Sequence, residues 1–242
     1  MTKNNKKQEA GFIIFAGGIT YPRLSHPAMA TVTCLTFNAF QENTYIVSDA
    51  SGDCVVFDPG CSDSREQRAL CETLERLGVK PVRLINTHAH IDHILGNRFV
   101  ADTFGLVLEI HAGELPLLER AGSVAAMYGI PYPEPSPMPG RYLVDGEEIR
   151  FGSTVLQILF TPGHSPASLS FYSAADGFLL AGDVLFRESI GRTDLPGCDH
   201  RLLLDSIRER IFPLPGETVV WPGHGEPTTI GHEKQFNPFV GD

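Results

Sequence analysis

The sequence predicts an α/β fold: a four-layer αβ/βα sandwich in which two β-sheets pack face to face and helices cover their outer sides. Apolar β-rich runs alternate with amphipathic helical patterns, and this alternation occurs once on each side of a proline-rich stretch at residues 129–140. The 242 residues show no internal shift in composition. Length and patterning together predict one large domain.

In the first half, β-branched and aromatic runs predict strands at residues 31–37, 44–47, 54–58, 82–86 and 106–110. Amphipathic patterns predict helices at 65–77, 93–104 and 113–120. Gly78 and Gly105 stand where the first two helices would end, because glycine readily adopts the left-handed conformation of a helix C-terminus.

The second half predicts strands at 147–151, 155–160, 168–173, 177–181 and 218–221, with a helix at 200–211. Between the halves, five prolines within residues 129–140 exclude a helix or a central strand. This segment is therefore a loop, either a rigid spacer or the wall or lid of a pocket.

We divide the chain into an N-terminal extension, residues 1–30, and one domain, residues 31–242. Lysines precede a short apolar stretch at 10–16, and residues 28–30 have the small-x-small form of a cleavage site. Residues 1–28 are therefore either an export signal or a segment upstream of a true start at Met29. Glycines and prolines interrupt the apolar region, which favours the second interpretation.

Composition restricts the partners. The net charge of −10 and the lack of a Lys/Arg cluster argue against nucleic acid and favour a small-molecule substrate. No run approaches the ~20 apolar residues of a membrane span. The five cysteines include no CxxC pair, so we expect no disulfide framework and a cytoplasmic protein, monomeric or homodimeric.

The strongest chemical signal is the segment Thr-His-Ala-His-Ile-Asp-His at residues 87–93, directly after the predicted strand 82–86. Three other predicted strands end shortly before His164, Asp183 and His224. A solvated histidine-rich loop is the alternative, but it gives no reason for this repeated placement. Because α/β enzymes carry their sites on loops at strand ends, we expect these side chains to converge.

Five imidazoles and two carboxylates exceed what one tetrahedral zinc ion accepts, but they suit two metals if one carboxylate bridges them. Nitrogen and carboxylate donors without thiolate predict two Zn²⁺ ions per chain, with iron or manganese as alternatives. The predicted metal ligands are His88, His90, Asp92, His93, His164, Asp183 and His224.

With this set of residues the chain resembles the metallo-β-lactamase superfamily and, within it, the glyoxalase II enzymes (hydroxyacylglutathione hydrolases), over residues 31 to about 240. The resemblance implies that His88, His90 and His164 hold one metal, that Asp92, His93 and His224 hold the other, and that Asp183 bridges them. The segments 40–44 and 228–239 look like those of the compact glyoxalase-like hydrolases of bacteria.

The activity implied by the resemblance is hydrolysis of a thioester, such as a hydroxyacylglutathione, by a hydroxide shared between the two metals. Asp92 and Asp183 are then the catalytic carboxylates, with Asp92 or a bound water handling protons. Arg192 lies where glyoxalase II binds glutathione, so we expect it to recognise a carboxylate or phosphate, with a surface salt bridge as the alternative. Asp58 is expected to accept a hydrogen bond from a ligating imidazole.

Other functions on the same fold remain as alternatives. One is a persulfide dioxygenase with a single iron, and another is a related metallo-hydrolase such as a lactonase. A non-catalytic binding protein is a third. Nuclease activity ranks lower because a basic tract is missing, and β-lactamase activity ranks lower because Asp92 followed by His93 points to the glyoxalase branch.

Overall fold

The computed structural model describes residues 12–14, 20–22, 30–132 and 134–241. Most of these residues lie in, or connect, two six-stranded sheets. The predictions of an export signal and of a start at Met29 fall almost entirely outside the described residues. Within the described part, two short strands, β1 (Phe12–Ile14) and β2 (Thr20–Pro22), form an antiparallel pair.

The first sheet has the order β3-β4-β5-β6-β7-β8. Its strands are β3 (Ala30–Phe37), β4 (Glu42–Asp49), β5 (Asp53–Phe57), β6 (Lys80–Ile85), β7 (Leu108–His111) and β8 (Pro139–Leu143). The pairs β3/β4 and β4/β5 are antiparallel, and β5 to β8 run parallel to one another. Helices must therefore connect the parallel strands. These helices are α1 (Ser64–Leu77), α2 (Ile91–Ile94), α3 (Asn97–Phe104) and α4 (Leu115–Tyr128).

The second sheet has the order β16-β15-β12-β11-β10-β9. Its strands are β9 (Glu148–Phe151), β10 (Thr154–Phe160), β11 (Leu169–Ser173), β12 (Phe178–Gly182), β15 (Val219–Pro222) and β16 (Thr228–Thr229). A small hairpin, β13 (Leu185–Phe186) and β14 (Ser189–Ile190), follows β12. Helix α5 (His200–Ser206) and a π-helical turn (Ile207–Ile211) lead to β15, and α6 (Ile230–Phe236) follows β16.

The main core lies between the two sheets. Phe57 of the first sheet and Phe171 of the second are fully buried, with ring centroids 4.9 Å apart. A second apolar cluster joins the first sheet to α1, α3 and α4, and a third joins the second sheet to α5 and its π-helical turn. Helix, sheet, sheet and helix thus form four layers, which confirms the predicted α/β sandwich.

Several predicted boundaries need correction. The single helix predicted at 93–104 is two helices, α2 and α3, because the Gly96 N–H donates to the Pro59 carbonyl at 2.7 Å. A Cβ at Gly96 would lie 2.4 Å from Cys61 Sγ, so only glycine fits there. Helix α4 extends eight residues beyond the predicted end at Arg120, to Tyr128.

In the proline-rich segment 129–140, residues 130–132 and 134–138 form a loop, as predicted, but the last two residues of the segment begin strand β8. Proline is tolerated there because β8 is the edge of its sheet. The loop packs against α3: the Arg98 Nε donates to the Pro135 carbonyl, and Asn97 Nδ2 donates to Ser136 Oγ at 2.8 Å. Among the described residues, no helix has the length and apolar character needed to cross a membrane.

Candidate metal centre

All seven predicted donors meet at one end of the sandwich. His88 and His90 lie in the loop after β6, and Asp92 and His93 begin helix α2. The other three donors follow β10, β12 and β15, namely His164, Asp183 and His224. The C-terminal ends of four strands therefore deliver these side chains to one place, as the sequence predicts.

Three of the imidazoles form a first group: His88, His90 and His164. Their nearest ring nitrogens all lie within 4.8 Å of one another, and His90 Nδ1 is 2.8 Å from His164 Nε2. His88 Nε2 is buried and has no hydrogen-bond partner among the described residues. A buried nitrogen without a partner is costly, so a cation at this point would satisfy it.

Asp92, His93 and His224 form a second group, again with donor atoms within 4.8 Å. Asp92 Oδ2 is 3.1 Å from His224 Nε2 and 3.7 Å from His93 Nε2. His93 Nε2 is another buried atom for which the described residues offer no hydrogen-bond partner.

Asp183 lies between the two groups. Its Oδ2 is 3.3 Å from His164 Nε2 in the first group and 3.5 Å from His224 Nε2 in the second. Its Oδ1 is 3.5 Å from His93 Nε2 and is buried without a hydrogen-bond partner in the described structure. One carboxylate is thus within reach of both groups, which is the arrangement that a bridging ligand requires.

Asp58 orients imidazoles of both groups. Its Oδ1 accepts from the Thr87 N–H at 2.7 Å, and its Oδ2 accepts from the Thr87 hydroxyl at 2.6 Å. Oδ2 also lies 3.2 Å from His93 Nδ1, in agreement with the prediction that Asp58 accepts a hydrogen bond from an imidazole. The Thr87 hydroxyl in turn lies 2.9 Å from His88 Nδ1. With protons held on Nδ1, both rings present Nε2 to the cluster.

Backbone carbonyls fix two further rings. His164 Nδ1 donates to the Arg192 carbonyl at 2.9 Å. His224 Nδ1 lies 3.1 Å from the Phe40 carbonyl and 3.2 Å from the Gln41 carbonyl. Both rings therefore direct Nε2 inward, the tautomer that a metal ligand needs.

Burial and charge divide the histidines into two kinds. Burial lowers the pKa of His88 well below its usual value, lowers that of His90 to about 3, and lowers that of His164 as well. Burial also opposes the charged forms of His93 and His224, but nearby carboxylates, above all Asp183 and Asp92, outweigh it and raise their pKa values. The first group is therefore neutral and ready to bind a cation, whereas the second must release protons.

Backbone strain surrounds the second group. Asn38, Gln41 and Asp58 have φ angles of 52°, 57° and 47°, in the left-handed region. Asn38 Nδ2 donates to the Asp92 carbonyl at 3.0 Å, while the Gln41 carbonyl faces His224. Strained residues of this kind concentrate at functional sites, where surrounding contacts hold them.

Two buried glutamates near the cluster were not predicted. Glu42 is fully buried at the start of β4, with Oε1 3.9 Å from His93 Nδ1, and burial raises its pKa well above the usual value. Glu114 is fully buried in the turn after β7. The sequence position of Glu114 could have indicated its role, because it follows a strand end as the predicted donors do. For Glu42 the only indication in the sequence was a glutamate at the first position of an apolar strand.

Arg192, the predicted substrate-binding residue, lies at the edge of the site. Its backbone carbonyl holds His164, but its side chain is 56% exposed and binds Asp194 through two hydrogen bonds of 2.6 and 2.8 Å. These hydrogen bonds lower the pKa of Asp194 to about 2. Phe40 and Phe186 lie beside the second group: the Phe186 ring is 6.3 Å from the His224 ring.

Fold and donor cluster together define a site of the metallo-hydrolase type, with nitrogen and carboxylate donors for divalent metal ions. The family model of the metallo-beta-lactamase superfamily matches residues 37–224. The chain belongs to this superfamily.

Similar proteins share most of the chain. The probable metallo-hydrolase YqgX of Bacillus subtilis is 36% identical over 204 residues, which cover 83% of this chain and 92% of that protein. Hydroxyacylglutathione hydrolase GloC of Haemophilus influenzae is 31% identical over 211 residues, which cover 86% of this chain and 97% of that protein.

Two solved structures resemble the fold closely, each with a TM-score of 0.77. The BLEG-1 B3 metallo-beta-lactamase is 38% identical and covers 87% of this chain and 99% of its own. TTHA1623 in a di-iron-bound form is 39% identical, and the match covers 86% of this chain and 99% of that chain. Iron in the latter means that the superfamily and the donor set leave the identity of the metal open.

Proposed function

We propose that the protein is a hydrolase with two divalent metal ions per chain, held by the first group, the second group and Asp183 between them. The observation that carries the proposal is the position of Asp183, whose carboxylate oxygens lie 3.3 to 3.5 Å from donor nitrogens of both groups. A single ion would leave the Nε2 atom of either His88 or His93 buried without a partner. Zn²⁺ suits these donors, and the di-iron form of TTHA1623 supports iron as the other candidate.

When bound, the ions would supply a water of lowered pKa and polarise the scissile carbonyl. The protein's own residues prepare that chemistry. Asp58, Thr87 and backbone carbonyls hold four imidazoles at Nδ1, so their Nε2 atoms face the cluster before any ion binds. His93 and His224, whose pKa values are raised, would give up the Nε2 proton on binding a metal. Burial raises the pKa of Asp92, but the charge of His93 and a hydrogen bond from His224 outweigh it, so Asp92 is ionised at neutral pH and can accept a proton at Oδ2.

We propose a thioester, such as a hydroxyacylglutathione, as the substrate. The similarity to GloC, over 97% of that protein, supports this class. At the edge of the site, Arg192 offers a guanidinium for a substrate carboxylate, in competition with Asp194. Phe186 offers apolar contact next to the second group.

A β-lactam is a second candidate substrate. The 38% identity to a protein described as a B3 metallo-beta-lactamase favours this substrate, although Asp92 followed by His93 points to the glyoxalase branch. Both reactions are attacks by water on an acyl carbon, so the same cluster could support either.

The experiment is a metal count on purified protein, combined with a hydrolysis panel of S-lactoylglutathione, simpler thioesters, lactones and nitrocefin. We expect two ions per chain and the highest kcat/KM on a thioester. One iron per chain with oxygen consumption on glutathione persulfide would instead identify a dioxygenase. Asp183→Ala should lose both turnover and bound metal, whereas Asp176→Ala, in the turn before β12 and at the other end of that strand from the cluster, should keep both. Unchanged hydrolysis in Asp183→Ala would refute the proposal.

A further inference from the structure

We propose that Glu114 is a positioning residue that sets the geometry of the first group, an inference that rests on the proposed metal centre. Among the described residues, the hydrogen bonds of Glu114 go to the backbone and to a serine, not to a proposed ligand side chain. Its Oε2 accepts from the Ala89 N–H at 2.9 Å, and its Oε1 accepts from the Ala167 N–H and the Ser165 hydroxyl, both at 2.7 Å. Ala89 separates His88 from His90, and Ser165 follows His164. One side chain therefore joins the two loops that carry the first group.

Only a carboxylate can make this connection. Backbone N–H groups can only donate, and here one N–H binds each carboxyl oxygen, so both oxygens must accept. Glutamine has the same shape but a single acceptor oxygen. Its amide nitrogen would therefore face the N–H of either Ala89 or Ala167, with both groups buried.

The turn that carries Glu114 is itself fixed in place. His111 Nδ1 accepts from the Gly113 N–H at 3.0 Å, which caps the turn. A Cβ at Gly113 would lie 2.6 Å from the Ala167 Cβ, so the turn and the loop after His164 are in close contact. The turn that carries Glu114 therefore packs directly on the loop after His164, whose Nε2 lies 2.8 Å from His90 Nδ1.

The test compares Glu114→Gln with Glu233→Gln. Glu233 is also fully buried and also accepts three hydrogen bonds, from the Glu188 N–H, the Thr228 hydroxyl and Asn237 Nδ2, but none of these donors adjoins a proposed ligand. Affinity for Zn²⁺ at each site is measured by competition with a chromophoric chelator, and stability of the metal-free protein by urea unfolding. We expect Glu114→Gln to weaken one of the two sites about 10- to 100-fold, and Glu233→Gln to lower stability alone.

Equal zinc affinities in the wild type and Glu114→Gln would overturn the inference, as would an equal loss in Glu114→Gln and Glu233→Gln. If Glu114→Gln does not fold, Ser165→Ala removes one of the three donors and should weaken the same site several-fold; unchanged affinity then overturns the inference. A wild type that binds no zinc at all would refute the proposed metal centre instead.

Discussion

Replacement of Asp58 by asparagine should weaken the second metal site and spare the first. Asparagine has one acceptor oxygen, and the Thr87 N–H, a fixed donor 2.7 Å from Oδ1, would retain it. The amide NH₂ then replaces Oδ2 and faces His93 Nδ1, 3.2 Å away. His93 would have to present a lone pair at Nδ1 and carry its proton on Nε2, the atom that points to Asp183.

The size of the effect follows from the lost hydrogen bond. A hydrogen bond to a charged acceptor contributes about 1.5–3 kcal/mol, and His93 is fully buried, so water cannot replace the acceptor. At about 1.4 kcal/mol per factor of ten, affinity at the second site should fall roughly 10- to 150-fold. The first site should change less, because the Thr87 oxygen can accept from both the new amide and His88 Nδ1.

The assay is metal stoichiometry after dialysis against a range of chelator concentrations, with Asp49→Asn as the control. Asp49 also accepts backbone N–H groups, from Ser51 and Ser153, but it is the last residue of β4, at the end of that strand away from the cluster. We expect Asp58→Asn to retain one ion under conditions where the wild type and Asp49→Asn retain two. Two ions bound to Asp58→Asn with wild-type affinities would show that the Asp58 carboxylate does not control the second site.

Three further predictions follow from the same geometry. Gly223→Ala should reduce metal content sharply, since its Cβ would lie 2.1 Å from Asp183 Oδ1; normal metal content would contradict this. On acidification the second site should lose its metal before the first, because the raised pKa values of His93 and His224 let protons compete at higher pH; titration with metal analysis checks the order. Arg192→Ala should raise KM for substrates with a carboxylate and leave neutral thioesters unchanged, which steady-state kinetics would measure.

The sequence alone was sufficient for the fold class and for the seven side chains that converge at one end of the sandwich, because both depend on local patterns. Each strand end can be recognised from a short stretch of sequence: an apolar run, then a Gly/Pro loop, then a histidine or aspartate. His164 and His224 both follow this pattern. The break between α2 and α3 could not be predicted, since it depends on Gly96 donating to the Pro59 carbonyl, which is distant in sequence.

The tautomer and the protonation state of each histidine depend on the tertiary structure. The tautomer of His224 is set by the carbonyl of Phe40, 184 residues away, and that of His164 by the carbonyl of Arg192, 28 residues away. The split between neutral and protonated histidines likewise depends on how deeply each ring is buried and on which carboxylates surround it. A backbone carbonyl has no residue-specific signature, so no sequence pattern records these contacts, and only the folded chain brings them to the site.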